Sequence, residues 1–317
     1  MKNKGVVFLL LLVSFANTVL AQDDVVTADS ANLGRELFAD IKEDSTRTQF
    51  EHKARQIVGS MFGTSKELSH ADSLIKVFDS YPSFGIYKDN YIVVGSELFG
   101  RKDEWNSDAK FQVSIRQRLT NSVLPFKTYV FLTYTQKAFW GVFQESFPFT
   151  ELNFNPSIGV GKLLTYNNRY LGALGLQLEH ESNGKDGESS RSWNKITFDA
   201  MFIFRDRWIL QSKFWIPIVD GENNRDITDY SGYGMTAFTY SSPRRKYNAS
   251  CIITKRTSGF FDVNVALQLS VRLFDNENQH LFVEYYDGYG ESLIDYNQYR
   301  QRIRMGIVIK PDFYSIF

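Results

Sequence analysis

The residues best able to do chemistry stand in one short stretch, His180-Glu181-Ser182-Asn183-Gly184 followed by Ser189-Ser190-Arg191-Ser192-Trp193-Asn194. A serine hydroxyl attacks an ester only when a neighbouring base takes its proton, and that base needs a third group to hold its tautomer. His180 and Ser182, two residues apart, project side by side if the segment is extended. Asn194 can orient the far imidazole nitrogen from an adjacent antiparallel strand, and Gly184 leaves a backbone N–H unobstructed for an oxyanion. The pattern is that of acyl transfer through a serine. A bare His-x-Ser pair also ends many ordinary strands, so the surrounding elements decide between the two.

Those elements are strands with apolar faces. With period two, Leu174, Leu176, Leu178, His180 and Ser182 share one face, and Ala173, Gly175, Gln177, Glu179 and Glu181 the other. The next segment aligns Asn194 with Ile196, Phe198, Ala200, Phe202 and Phe204. Three polar groups thus interrupt two greasy stripes at the same end. A water-soluble enzyme buries such stripes in its core; a protein whose stripes face lipid would offer the three groups to a lipid substrate.

The 317-residue chain opens with Lys2 and Lys4, an apolar run from Val6 to Val13 and the small-residue site Val19-Leu20-Ala21. This reads as a signal peptide over 1–21, with the mature protein starting near Gln22. No later segment approaches the roughly 20 apolar residues of a spanning helix. Lysine plus arginine and aspartate plus glutamate both number 36, and this balance argues against a nucleic-acid partner. The single cysteine, Cys251, excludes an internal disulfide. An aromatic content of 15%, with 17 Tyr and 27 Phe, suits a barrel with aromatic girdles.

Residues 22–83 carry charges at helical spacing and no sustained alternation, and read as a partly helical periplasmic preface. His52 and His70 fall there on charged faces, which gives a metal role little support. From Phe84 onward the chain falls into alternating segments near 84–95, 109–119, 127–138, 153–163, 170–181, 192–204, 207–216, 229–241, 245–255, 259–272, 279–287 and 298–309. Twelve such segments predict an all-β fold, a twelve-stranded antiparallel transmembrane β-barrel over 84–317. Inward faces carry both signs of charge, so Arg116, Arg118, Arg300, Arg302 and Arg304 are expected to pair with Glu179, Glu181 and Asp199 and fill the lumen. Trp140, Trp193, Trp208 and Trp215 fall near strand ends, as interfacial belts require, although Trp193, one residue from Asn194, should face inward. An even strand count puts both ends on one side; with that side periplasmic, the short turns are those at 120–126, 164–169, 204–207, 241–245 and 273–278. His180, Ser182 and Asn194 then lie at the outer rim beside loop 183–191.

The active stretch resembles the signature of the outer membrane phospholipase A family. Tyr134-Thr135-Gln136-Lys137, Pro148-Phe149 through Glu151-x-Asn153, Asp226-Ile227-Thr228 and Gly288-Tyr289-Gly290-Glu291-Ser292-Leu293-Ile294-Asp295-Tyr296-Asn297 resemble family segments in the same order. The resemblance implies a calcium-dependent serine hydrolase that removes acyl chains from the sn-1 and sn-2 positions of phospholipids and lysophospholipids and is active as a homodimer. By position, Ser182 would be the nucleophile, His180 the base, Asn194 the residue that orients it, and Gly184 the oxyanion donor. Calcium would be held by the Ser190 side chain, the Lys185 carbonyl and Ser146 of a second copy. Two acidic positions of the family fall here on Gly187 and Asn223; Asn223 itself, or the adjacent Asp186, Glu188 and Glu222, would then complete the set. Gln136, on the lipid-facing side with Val130, Leu132 and Tyr134, would meet a second subunit. Tyr289, Glu291 and Asp295 are expected to scaffold a loop.

The outer membrane, phospholipid and a second copy are thus the expected partners, with the site facing the outer leaflet. Two other readings stay open at this stage, a non-catalytic barrel and a lipopolysaccharide deacylase.

Overall fold

The computed structural model of the protein describes residues 71–99, 106–166, 169–205, 207–219, 222–257, 259, 261–274 and 278–310. The expected signal peptide, most of the preface with His52 and His70, and residues 311–317 lie outside these residues. The described chain starts with helix α1 (Ala71–Ser80) and continues in β1 (Phe84–Ile86), β2 (Asn90–Glu97), β3 (Ser107–Arg118), β4 (Thr128–Trp140), β5 (Phe149–Tyr166), β6 (Arg169–Ser182) and β7 (Ser192–Phe204). It goes on through β8 (Trp208–Ile218), helix α2 (Ile227–Ser231), β9 (Gly234–Ser241), β10 (Tyr247–Lys255), β11 (Val263–Arg272), β12 (Gln279–Gly288) and β13 (Arg300–Ile309).

From β2 to β13 each strand pairs antiparallel with the next, and β13 pairs back onto β2, with Met305 opposite Val94. The sheet is therefore a closed twelve-stranded barrel, which leaves no edge and satisfies every ladder internally, as a membrane demands. β1 and β2 are two halves of the first barrel strand. β1 sets Ile86 opposite Ile115 and β2 sets Tyr91 opposite Gln112, so the strand is broken over residues 87–89.

The barrel is inside out. Its buried residues are mostly polar, among them Gln112, Ser114, Gln177, Glu179, Gln211, Lys213, Glu284 and Arg304. Its exposed ones include Val113, Leu132, Ile158, Leu176, Leu178, Phe198, Phe214, Leu269, Met305 and Ile307. The alternation read from the sequence thus divides lumen from lipid. No helix among the described residues is long and apolar enough to cross a membrane.

Arg302, Arg304, Glu179 and Glu181 pair in the lumen otherwise than expected. Arg304 meets Asp108 at 2.8 Å and Glu291 at 2.5 Å, and Arg302 meets Asp108 at 2.5 Å. Glu179 and Glu181 pair instead with lysines: Lys213 lies 3.2 Å from Glu179 and Lys195 lies 2.8 Å from Glu181. Parity along a strand tells which side chains face inward, but which inward charges meet is set by the registers of all twelve strands. Arg118 is occupied at the other end, where its guanidinium donates to the carbonyls of Phe78, Asp79 and Tyr81 at 2.6, 2.8 and 3.0 Å. It caps the C-terminus of α1, whose Leu74 and Phe78, four apart on one face, are buried against the barrel. Asp79 also accepts from the backbone and hydroxyl of Ser122 in the turn between β3 and β4.

Three expected segments change bounds by four residues or more, one of them the strand placed at 153–163, which runs over Phe149–Tyr166. The segment placed at 229–241 begins as α2, and β9 starts only at Gly234. Ile227 is fully buried there in an apolar cluster with Trp193, Leu293 and Tyr296, so α2 and loop 289–299 cap the lumen. The segment placed at 259–272 begins at Val263. Trp140 and Trp208 lie among ring partners near opposite strand ends, stacked on Phe149 and Phe238. Trp193 turns inward as expected, but so does Trp215, packed edge-on to it at 6.5 Å.

Candidate active site

β6 and β7 place the polar groups. Their register sets His180 opposite Asn194 and Ser182 opposite Ser192, at the end of the barrel away from α1. The apolar residues below on the same faces, Leu174, Leu176, Leu178 and Phe198, are 39%, 40%, 59% and 45% exposed, so the site opens onto the lipid side.

His180 Nδ1 and Asn194 Oδ1 lie 2.8 Å apart. An amide oxygen only accepts, so this contact puts the imidazole proton on Nδ1 and leaves the Nε2 lone pair for a hydroxyl. The strand on the other side holds the histidine backbone. Phe154 opposite Ser182 and Ser157 opposite Glu179 leave Pro156 facing His180, where β5 has no N–H to give. The Asn155 side chain takes that place, donating to the His180 carbonyl at 2.9 Å.

Past Ser182 the chain turns through Gly184, at φ +65°, where an added Cβ would meet the Phe154 ring at 3.0 Å. Only glycine fits this turn without strain. The turn begins loop 183–191, which amides hold closed. Asn183, 3% exposed, accepts from the Arg191 N–H at 3.0 Å and donates to the Ser189 carbonyl at 2.9 Å. Asn224, fully buried, bridges the N–H and carbonyl of Ser192. Asn223 donates to the Gly187 carbonyl at 2.8 Å, so its amide nitrogen is turned to the loop backbone. The buried Glu151 reaches Lys185 Nζ at 2.8 Å, accepts from the Ile294 N–H at 3.1 Å, and so ties this loop to loop 289–299.

The sequence reading gave no role to Asn183, Asn224 or Glu151. Parity could have flagged Glu151, which falls on the lumen face of β5 with Asn153. Asn183 and Asn224 sit in loops, where periodicity is silent. Glu181 and Trp193, on the other faces, bond to each other at 3.0 Å inside the lumen and take no part in the site. Asp226, in a family-like segment, accepts from Tyr296 at 2.5 Å. Burial and this bond push the Tyr296 hydroxyl up to about 12. Tyr289 packs obliquely on Tyr230 and edge-on to Tyr299, and Asp295 pairs with Arg300, so these residues hold the loop together.

The oxygen groups considered for calcium gather around the same loop. Ser190 is partly buried, while Asp186, Glu188 and Glu222 are exposed and have no ion-pair partner among the described residues. That contrasts with the lumen, where buried carboxylates are paired. No three His, Cys, Asp or Glu side chains come together as a ready metal cage among the described residues. Neutral oxygens with exposed surface carboxylates suit a hard, flexibly coordinated cation such as calcium. Ser146 is exposed in loop 141–148, at φ +65° with Phe147 at φ +47°. Gln136 accepts from Tyr134 at 3.0 Å on the outer face, so the chain itself satisfies its amide oxygen.

Residues 84–309 match the model of the phospholipase A1 family. The chain is 31% identical to phospholipase A1 of Salmonella typhimurium over 258 residues, covering 74% of this chain and 83% of the relative. It is 30% identical to phospholipase A1 of Escherichia coli K12 over 225 residues, 67% and 72% of the two chains. The outer membrane phospholipase dimer of Salmonella typhi with bound calcium superposes with a TM-score of 0.65 at 26% identity, covering 78% of this chain and all of that one. Outer membrane phospholipase A of Escherichia coli gives 0.63 at 26% identity, over 72% and 94%. With the barrel, its polar lumen and a histidine, serine and asparagine grouped on its lipid face, these matches lead to one conclusion: the chain belongs to the phospholipase A1 family.

Proposed function

We propose that the protein is an outer-membrane serine hydrolase that releases fatty acids from the sn-1 and sn-2 positions of phospholipids and lysophospholipids, with its site facing the outer leaflet. The observation that carries the reading is the 2.8 Å contact of His180 Nδ1 with Asn194 Oδ1, on a face otherwise given to lipid. Ser182 Oγ attacks the ester carbonyl while His180 Nε2 takes its proton. The Gly184 N–H donates to the oxyanion, and collapse expels the glycerol oxygen, which receives the proton from His180. Water activated by His180 then hydrolyses the acyl-serine, releases the fatty acid and restores the hydroxyl. Acyl chains reach the serine along the Leu174, Leu176 and Leu178 stripe, and need not leave the apolar phase.

Calcium is the cofactor that the oxygen groups of loop 183–191 suit, and it would add positive charge beside the oxyanion. The Lys185 carbonyl and the Ser190 side chain would hold it, with Asp186, Glu188, Glu222 or the Asn223 oxygen completing the shell and Ser146 contributed by a second copy. The active form is then a homodimer. Residues 1–21 act as an export signal and 22–83 as a periplasmic preface to the barrel domain, 84–317.

The test is fatty-acid release by refolded protein in mixed micelles, with calcium or with a chelator, beside Ser182→Ala. Calcium-dependent release from phospholipid, lost on substitution, is expected. Release from lipopolysaccharide alone would replace the substrate class, and none from folded dimer would leave a non-catalytic barrel.

A further inference from the structure

The break in the first barrel strand places one residue where alternation would not. A regular strand sends every second side chain inward. Here Tyr87, Lys88 and Asp89, three in succession, all line cavities inside the barrel. The Lys88 N–H is held by Ser114 Oγ at 3.2 Å, which fixes the break. Breaks of this kind recur where a side chain is re-aimed for use.

Lys88 is aimed at two adjoining cavities, each about 200 Å³, below loop 289–299. Lys137 of β4 also lines both. The carboxylates around them are already paired: Glu179 with Lys213, Glu181 with Lys195, Glu284 with Lys110, Glu291 with Arg304, and Asp89 with Lys310. Among the described residues neither Lys88 nor Lys137 has a carboxylate within the 4.0 Å of an ion pair. The two ammonium groups also repel each other. Two lysines that line the same polar space with no carboxylate of their own suit an anion that bridges them. Thr135 and Asn153, in the wall of one cavity, and Gln112, in the wall of the other, add neutral hydrogen-bonding groups.

We propose that Lys88 and Lys137 form a lumenal binding site for a small multivalent oxyanion of the phosphate class, separate from the lipid-facing serine. The re-aimed Lys88, the unpaired Lys137 and the space between them make one site. Bridging both ammonium groups removes their repulsion, so binding stabilises the closed barrel.

Inorganic phosphate is the probe, titrated into the refolded full chain in zwitterionic detergent and followed by calorimetry. Saturable binding of one phosphate per chain is expected, weakened at least tenfold by Lys88→Met or Lys137→Met. Lys162→Met, on the outer face, should leave it unchanged. Folding of each variant is checked by heat-dependent mobility on gels. A second readout needs no variant: phosphate should raise the unfolding temperature of the unmodified protein above that in chloride of equal ionic strength. Wild-type protein that binds no phosphate and gains no thermal stability from it would overturn the site, as would full binding by the double lysine variant.

Discussion

Asn194 is neutral where many serine hydrolases place a carboxylate, and its surroundings account for the choice. An unpaired charge on the lipid face is expensive, whereas an amide oxygen accepts the imidazole proton without one. Asn194→Ala should therefore lower kcat by about 10²-fold with little change in KM, the usual share of a positioned acid–base group. Ser182→Ala should cost at least ~10⁴-fold, because the acyl intermediate cannot form. Gly184→Ala tests the turn. The φ of +65° and the 3.0 Å approach of Phe154 both oppose a Cβ, so activity should fall while far-ultraviolet circular dichroism keeps its β signal. The histidine, serine and asparagine were legible in the sequence because all three break an apolar alternation at one end of adjacent strands. The amides that hold the loop were not, since nothing periodic marks Asn183 or Asn224.

Strand alternation gave the barrel and its count, but pairing inside the lumen depends on registers that no single strand encodes. Arg304 finds Glu291, far along the chain's upper loop, and Glu151 joins that loop to Lys185. The start of β9 was missed because α2 buries Ile227 in a cap assembled from three separate segments. Glu291 shows what the cap depends on. Burial pushes its carboxyl up, but Arg304 and Lys110 outweigh this and hold it below the usual carboxylate range. A depressed folded value stabilises above the unfolded pKa, about 4.3, and the contribution is lost as pH falls below it. Loop 289–299 should thus resist proteolysis at pH 6 and become cleavable in acid; Glu291→Gln should open it at neutral pH. At the other end, Arg118→Ala removes three donors to the last carbonyls of α1. Residues 71–83 should then be cleaved by protease while the barrel stays intact.

The whole molecule reverses the usual order of inside and outside, with ion pairs in its interior and leucine, phenylalanine and isoleucine on its surface. In the proposed mechanism that inversion would let an ester in a membrane reach Ser182 without crossing water. The proposed second copy would meet the face carrying Val113, Leu132 and Ile158 near Gln136, and bring its Ser146 to the calcium loop. Ser146→Ala should leave the fold and the dimer intact but raise the calcium needed for half-maximal acyl release several-fold. A long-chain sulfonyl fluoride reports whether His180 activates Ser182 on the lipid face. Ser182 Oγ would displace fluoride and keep the sulfonyl group, and peptide mass mapping locates the adduct. One adduct per chain, on Ser182, formed with calcium and absent in His180→Ala, is the predicted result. Labelling of another residue, or of Ser182 at full rate without His180, would rule out a serine activated by this histidine.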